Sequence, residues 1–221
     1  DHVVVVSHRP KPAGWHPEAS YHFATSVEEG MARARDLAGD GDIGVGAGDV
    51  GGQALSLGLV DHVAIDLTPP DGLPFKRVLE IALRARDELA AVKAVGFPKT
   101  SGSGGLHVYI PMPPDTTYDA GLLYCQIVAT VVATKHPRVA TIERSVAARG
   151  NRIYVDYLQN IQGKTLASAY SPRANEFAGV STPLTWDDVE SGVTPQDFTL
   201  ANAAARLDEV GDLWAALRKS K

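Results

Sequence analysis

Residues 99–107, Lys-Thr-Ser-Gly-Ser-Gly-Gly-Leu-His, combine residue types that bind anions. A glycine-rich turn leaves backbone N–H groups open to a ligand, and a polyphosphate is the usual ligand of such a turn. A histidine in a strand is more often part of a core, but the position of His107 directly after this turn favours a phosphate contact. A polyphosphate bound here requires groups nearby that hold a metal ion and perform chemistry.

The composition is that of a globular protein with one large or two small domains. The chain has 221 residues, of which 44% are hydrophobic and 21% are charged. A net charge of −5 argues against a nucleic-acid binder, although residues 135–173 hold seven Lys or Arg residues and two acidic ones. This segment predicts a local basic surface, and a merely solvated face explains the charges equally well.

The single cysteine, Cys125, excludes an internal disulfide and fits a reducing compartment. It lies in the apolar run LLYCQIVATVVA, which favours a buried core thiol over a nucleophile. We find neither a leader peptide nor an apolar run of about 20 residues, so we expect a cytoplasmic protein without a membrane partner.

The first third of the chain alternates strand-like and helix-like segments. Ser26 is a candidate N-cap and Gly39 a candidate end for one of the helices. This alternation predicts a mainly parallel sheet. The predicted elements are strand 3–7, strand 21–25, helix 26–39, a strand, glycine turn and helix over 42–59, and strand 60–67.

The remaining chain predicts three helices of substantial length among further strands. Helix 75–92 is expected to have one apolar face. A further helix is expected to begin at Thr185, which forms a capping box with Asp188. The apolar faces comprise Val78, Ile81, Leu89 and Val92 in the first of these helices, and Leu200, Leu207, Val210, Trp214 and Leu217 in a tail helix, 197–219. The other predicted elements are strand 106–112, helix 119–134, strand 141–146 and strand 152–160.

Four ordered blocks resemble one known family. They are DHVAIDLTPPDGLPFKRVLEIA, GFPKTSGSGGLHVYIP, GNRIYVDYLQNIQGKTLASAYSPRA and VSTPLTWDDV. From about residue 61 to residue 221 the chain resembles the polymerase domain of bacterial DNA ligase D, a member of the archaeo-eukaryotic primase superfamily. The resemblance implies an α/β (α+β) fold, with a primase-polymerase catalytic module built on an RRM-like sheet.

The resemblance also implies nucleotidyl transfer, in which a sugar 3′-OH attacks the α-phosphate of a nucleoside triphosphate. Two ions of Mg²⁺ or Mn²⁺, about 3.5–4 Å apart, assist such reactions. The family uses a D-x-D pair and a third aspartate; Asp66 and Asp156 match the first and third positions as catalytic metal ligands. The second position is Thr68, whose neutral hydroxyl binds a hard cation far less well than a carboxylate. We therefore expect impaired activity.

The same resemblance implies a nucleotide site. Arg173 matches an arginine that grips the triphosphate, because a guanidinium offers bidentate and permanent charge. The family often carries a lysine where this chain has Gly104, and Lys99 is expected to replace part of that charge. The predicted nucleotide contacts are Lys99, Ser101, Gly102, His107, Gln159 and Arg173.

As partners, the resemblance implies DNA ends and nucleoside triphosphates, together with ligase or end-binding proteins. The setting would be DNA end repair by non-homologous end joining, in association with the bacterial nucleoid. We expect DNA binding by this chain to be weak and salt-sensitive.

Residues 1–67 are similar to another family. The blocks VVVVSHRP and GVGAGDVGGQALSLGLVDHVAIDLTP, with helix 26–39, resemble the C-terminal half of a dihydrofolate-reductase-like (RibD-type) domain. This implies a β-α-β-α-β half of a parallel sheet that places an NADPH pyrophosphate on a helix N-terminus. The implied cofactor contacts are Gly46, Ala47, Gly48 and Asp49, with Arg9 for the 2′-phosphate. A structural β-to-α turn explains the glycines equally well.

Three hypotheses remain open from the sequence. The first is an impaired primase-like nucleotidyltransferase, and the second is an NADPH-binding reductase remnant. The third is a non-catalytic fusion module in which two half-domains share one sheet, joined within residues 60–72.

Overall fold

The computed structural model describes residues 2–9, 20–41, 43, 45, 62–161, 164 and 166–219. The strands of this part of the chain are β1 (Val3–Val6), β2 (Tyr21–Ala24), β3 (His62–Thr68), β4 (Phe97–Thr100), β5 (Leu106–Pro111), β6 (Ala140–Thr141) and β7 (Ile153–Asp156). Its helices are α1 (Val27–Ala38), α2 (Phe75–Ala91), α3 (Tyr118–Lys135), α4 (Val146–Arg149), α5 (Trp186–Ser191), α6 (Ala203–Val210) and α7 (Ala215–Lys219). Two 3₁₀ turns cover Leu158–Asn160 and Pro195–Asp197.

The first two strands and α1 form a small unit of their own. β1 and β2 pair in parallel as a two-stranded sheet, and α1 packs on them through Val27 and Met31. The Ser26 hydroxyl accepts a hydrogen bond from Glu29 N, which confirms the predicted helix start.

A five-stranded mixed sheet follows, in the order β4-β5-β3-β7-β6. The elements β3-α2-β4-β5-α3-β7 form a β-α-β-β-α-β unit whose four strands are antiparallel, so the predicted RRM-like sheet is confirmed. The expectation that strand 60–67 continues a parallel sheet is wrong, because β3 pairs antiparallel with both β5 and β7.

Both long helices cover one face of this sheet. Alternate residues of β3, namely Val63, Ile65 and Leu67, are buried in a core shared with α2 and α3. Cys125 of α3 is fully buried there, as predicted. The opposite face therefore remains for polar side chains. No helix of the described ranges has the length and apolar character needed to cross a membrane.

Residues 141–146 do not form the predicted strand beyond Thr141. The Thr141 hydroxyl accepts from Glu143 N, and the Glu143 carboxylate accepts from Ser145 N. These side-chain bonds turn the chain into α4, because they offer the backbone an alternative to a sheet ladder. The predicted strand 152–160 likewise ends early, since residues 158–160 form a 3₁₀ turn.

The predicted tail helix is broken into two helices. Gly211 adopts φ +71° and ends α6, so the apolar residues on its two sides do not share one face. Leu200, Leu207 and Val210 are 64%, 38% and 38% exposed, which corrects their predicted inward positions, whereas Trp214 and Leu217 are buried as expected. In α2, Val92 lies just past the last turn and is 62% exposed, which corrects its place on the buried face.

Candidate active site

Four polar residues form one row across the sheet. Lys99, His107, Asp66 and Asp156 are successive cross-strand partners on β4, β5, β3 and β7. Directly paired residues project from the same face, and this face is opposite to the buried Ile65 and its neighbours. We call these four residues the polar row. The register of the sheet thus brings Asp66 and Asp156 side by side.

Three donors hold the Asp156 carboxylate in place. Its Oδ1 accepts from Leu158 N at 2.8 Å and from the Tyr154 hydroxyl at 3.2 Å, and its Oδ2 accepts from Gln159 Nε2 at 2.8 Å. Burial and the Asp156 charge raise the pKa of Tyr154 to about 12, so its hydroxyl remains a donor at neutral pH. The 3₁₀ turn after β7 supplies two of these three donors.

The surroundings of Asp66 disfavour the ionised form of its carboxyl group. Its Oδ1 accepts from the Thr68 hydroxyl at 3.2 Å and lies 3.7 Å from His107 Nε2. Burial, followed by repulsion from Asp156, raises the pKa of Asp66 to about 6. A nearby cation would stabilise the ionised form of the Asp66 carboxylate.

The Ser101 hydroxyl organises the glycine turn. Its oxygen accepts from Ser103 N at 3.1 Å and from Gly105 N at 3.0 Å, so these two N–H groups are not open to a ligand as the sequence suggested. A hydroxyl has two acceptor lone pairs and one proton. Because both lone pairs are occupied, Ser101 can only donate to a ligand, which suits an anionic oxygen.

Gly102 lets Arg173 approach the turn. Its φ is +76°, and a Cβ at this position would lie 2.6 Å from Arg173 Cγ and 2.9 Å from Ser181 N. The Gly102 carbonyl accepts from Asn175 Nδ2 at 2.8 Å, which ties the segment that carries Arg173 to the turn. A glycine is required here for both reasons.

A cavity of about 570 Å³ opens between the turn and the polar row. Its volume lies in the usual range of small-molecule sites. One wall is polar and one is apolar, the latter including Pro69, Leu73 and Phe75. The predicted site residues that line it are Asp66, Thr68, Ser101, His107, Gln159 and Arg173.

Lys99 lies behind His107 rather than on the cavity wall. It is fully buried, and its ammonium bonds Thr100 O at 3.2 Å, His107 Nδ1 at 2.9 Å and the Ser181 hydroxyl. Burial lowers the pKa of Lys99 to about 7, against the opposing attraction of Asp66. Lys99 is thus placed to act on His107 and not on a ligand directly.

Comparison with known sequences identifies the family of this site. The sequence model of the LigD primase-polymerase domain matches residues 51–214. The chain belongs to the LigD primase-polymerase family. This confirms the family predicted from the four sequence blocks.

Individual LigD relatives agree with this assignment. The bifunctional non-homologous end joining protein LigD of Bacillus subtilis is 34% identical over 151 residues, which are 68% of this chain and 25% of that protein. The multifunctional LigD of Pseudomonas aeruginosa is 33% identical over 160 residues, 70% of this chain and 19% of that protein. The chain therefore spans a quarter or less of the length of these relatives.

A solved LigD structure shares the fold. It is the polymerase domain of Mycobacterium tuberculosis ligase D in complex with DNA, with a TM-score of 0.67 and 29% sequence identity. The likeness covers 72% of this chain and 55% of that chain.

The LigD site of this chain fits one divalent cation. Mg²⁺ is commonly held by one or two carboxylates together with substrate phosphates and water, which Asp66 and Asp156 can provide. Among the residues that the structure describes, no group of three or more His, Cys, Asp or Glu side chains could hold a metal ion. Thr68 contributes no charge and already donates its proton to Asp66.

Of the cofactor contacts implied by the reductase resemblance, the structure describes only Arg9. Gly46, Ala47, Gly48 and Asp49 lie outside the described residues, so their role stays a prediction. Arg9 is described and exposed, and its backbone N–H donates to the Ser7 hydroxyl at 3.0 Å.

Sequence reasoning missed the residues that support the LigD site from behind. The Asn160 amide accepts from Ala64 N at 2.9 Å and donates to Ala64 O at 2.7 Å, so it replaces a strand residue opposite β3. The Ser181 hydroxyl, which lies on a segment distant in sequence from Lys99, accepts a hydrogen bond from the Lys99 ammonium. Only Tyr154 carried a signal, since it lies two residues before Asp156 on the same strand face.

Proposed function

We propose that this chain binds a nucleoside triphosphate together with Mg²⁺ or Mn²⁺ in the cavity, and that it transfers nucleotides to a DNA end slowly. The observation that carries this proposal is the cross-strand pairing of Asp156 with Asp66, which lines the cavity together with Ser101. A divalent cation bound to such a pair neutralises phosphate charge and lowers the cost of displacement at the α-phosphate.

Different residues of the site bind the cation and the triphosphate in this proposal. Asp66 and Asp156 hold the cation, while Ser101, His107 and Arg173 face the triphosphate. The proton of Ser101 is free to donate, and Arg173 supplies permanent charge. The polar wall of the cavity thus suits an anion with a bound cation.

The DNA end is proposed as the acceptor by analogy with the M. tuberculosis polymerase domain in complex with DNA. The basic segment near α4 supports this. Arg149 of α4 lies 3.7 Å from the centroid of the Tyr154 ring, whose hydroxyl donates to the Asp156 carboxylate. Arg144 is exposed just before α4. These charges suit a phosphate backbone that approaches the carboxylates.

The slow transfer follows from Thr68. Nucleotidyl transfer by two cations needs ligands for both, and the pair of carboxylates in this chain suffices for one. Binding of the nucleotide is therefore retained, whereas activation of the attacking 3′-OH is weak.

The test is Thr68→Asp, with Thr68→Asn as the matched neutral control of similar size. We expect Thr68→Asp to raise Mn²⁺-dependent addition of ribonucleotides to a DNA primer by about tenfold or more, which corresponds to about 1.4 kcal/mol or more of barrier. Thr68→Asn should leave the rate unchanged. Equal rates for the Asp and Asn variants would refute the proposal that a missing carboxylate limits activity.

A further inference from the structure

The buried Lys99 ammonium has one acceptor for each of its three protons. These acceptors are the Thr100 carbonyl at 3.2 Å, the Ser181 hydroxyl and His107 Nδ1 at 2.9 Å. The Ser181 hydroxyl donates its own proton to Thr100 O at 2.8 Å, so its oxygen is free to accept from Lys99. An ammonium has three donors and no acceptor, and the network is therefore complete only in one arrangement of protons.

That arrangement decides the state of His107. In its ammonium form, which predominates below its pKa of about 7, Lys99 can only donate. His107 Nδ1 must then accept, and the single proton of the neutral ring lies on Nε2. His107 lines the cavity and its Nε2 is 3.7 Å from Asp66 Oδ1. Burial, with the charges of Lys99 and Arg173, keeps the pKa of His107 well below its usual value, which agrees with a neutral ring.

We infer that Lys99 is a positioning residue that fixes His107 as the Nε2–H tautomer, so that His107 donates a hydrogen bond to a triphosphate oxygen. The last part rests on the proposed function, whereas the tautomer does not. Lys99 itself is fully buried and absent from the cavity wall, so it acts through His107. The Ser101 hydroxyl and the His107 ring then present two donors to the same cavity.

The tautomer is measured by ¹⁵N NMR of the histidine rings in the ligand-free chain. The chain has seven histidines, and His107→Gln assigns the signal of interest. We expect His107 to be the Nε2–H form in the parent and a mixture of tautomers in Lys99→Met, which keeps the length of the side chain and removes its donors. Thr182→Val is the control, because Thr182 is buried in the same segment as Ser181, and its hydroxyl donates to Val180 O rather than to Lys99 or His107.

Binding of inorganic triphosphate with Mn²⁺ tests the consequence. Lys99→Met should weaken binding by about tenfold in the parent and by less than about threefold in a His107→Gln background, because residues that act through one another are not additive. An equal loss in both backgrounds overturns the inference. So does a parent spectrum with the proton on Nδ1 or on both nitrogens, which decides the matter even where Lys99→Met does not fold. If the parent has the expected tautomer but binds no triphosphate, the proposed function fails and the tautomer assignment stands.

Discussion

At the residue scale, the carboxyl group of Asp66 is held back from ionising by burial and by the neighbouring Asp156. A cation relieves both effects, because it replaces lost hydration and offsets the like charge. The affinity for the metal and the stability of the metal-free chain are therefore coupled through this one side chain. Two predictions follow from the direction of its pKa shift.

Mn²⁺ binding should weaken as the pH falls through about 6, the pKa of Asp66. Below this pH a proton occupies the carboxylate and competes with the cation. Between pH 7.5 and pH 5 we expect the affinity to fall by about tenfold. At pH 5, one unit below the pKa, only about one tenth of the Asp66 carboxyl groups are ionised and able to bind the cation. Titration followed by Mn²⁺ electron paramagnetic resonance measures this. A flat affinity profile across this range would contradict the role of Asp66 as a ligand.

Asp66→Asn should stabilise the metal-free chain at pH 7.5 by about 1–3 kcal/mol. The pKa of Asp66 is raised from 3.8 to about 6, so the stability it contributes is present below pH 3.8 and lost as the pH rises through 6. A neutral amide avoids this loss. The difference in free energy of unfolding between the variant and the parent should therefore shrink to about half at pH 5. Urea unfolding in EDTA measures both values. Added Mn²⁺ should raise the midpoint of the parent and not of the variant.

At the scale of elements, the short turns after β7 and β4 position the site more than the strands alone do. The 3₁₀ turn Leu158–Asn160 carries donors to Asp156, and the glycine turn carries Ser101. Each turn is fixed by one residue with a special property. Asn160 has a side chain that replaces a peptide group, and Gly102 has a positive φ.

Asn160→Asp should disrupt the first of these turns. A carboxylate oxygen would face Ala64 O, where the amide of Asn160 now donates at 2.7 Å. We expect a loss of about 1–3 kcal/mol in the free energy of unfolding, because a buried acceptor is left without a donor, and weaker Mn²⁺ binding because the donors to Asp156 shift. Urea unfolding and Mn²⁺ titration measure the two effects. Gln159→Ala, which removes a single bond to Asp156, should weaken Mn²⁺ binding with little change in stability.

Gly102→Ala should displace Arg173 from the second turn. The added Cβ would lie 2.6 Å from Arg173 Cγ, at a residue whose φ is +76°. We expect triphosphate affinity to fall by about tenfold, the usual cost of one lost charge-assisted hydrogen bond. Gly104→Ala is the matched control, since its Cβ would meet only Pro69 Cγ at 3.7 Å, an ordinary contact. Equal affinities for the two variants, measured by calorimetry, would show that Gly102 does not position Arg173.

Much of this element scale was accessible from the sequence. Helix starts were predicted correctly where a side chain caps the helix, as at Ser26 and Thr185. Asp66 and Asp156 were found through the resemblance to one family, and the sheet register explains why they meet. The location of Lys99 was not predictable, because an isolated lysine gives no sign that Ser181 will enclose it. The strand predicted at 141–146 is wrong for a different reason. Hydrogen bonds from backbone N–H groups to the side chains of Thr141 and Glu143 replace strand pairing there.

At the scale of the whole molecule, the described residues form two separate sheets. The parallel pair β1–β2 carries α1, and the five-stranded sheet carries the cavity. Every residue that lines the cavity lies between Asp66 and Gln196. Among the described strands no pairing joins the two sheets, and the hypothesis of two half-domains that share one sheet stays a prediction.

A substitution in the small unit should leave the cavity unaffected. In Gly30→Ala the added Cβ would lie 2.6 Å from Val6 Cγ2, so we expect looser packing of α1 on β1. Triphosphate affinity should stay within about twofold of the parent, since sites without shared partners act independently. Calorimetric binding and circular dichroism measure the two effects. A large loss of affinity would show that the small unit contributes to the site.

The polar row has a consequence for how this chain can change in length. Because neighbouring strand residues point to opposite faces, adding or deleting one residue within β3, β5 or β7 would exchange the polar row for the apolar residues beside it. Carboxylates would then enter the interior beneath α2 and α3, and the ligands would leave the cavity together. We therefore expect insertions to be tolerated only in the connecting loops, where an added residue leaves the strand parity unchanged.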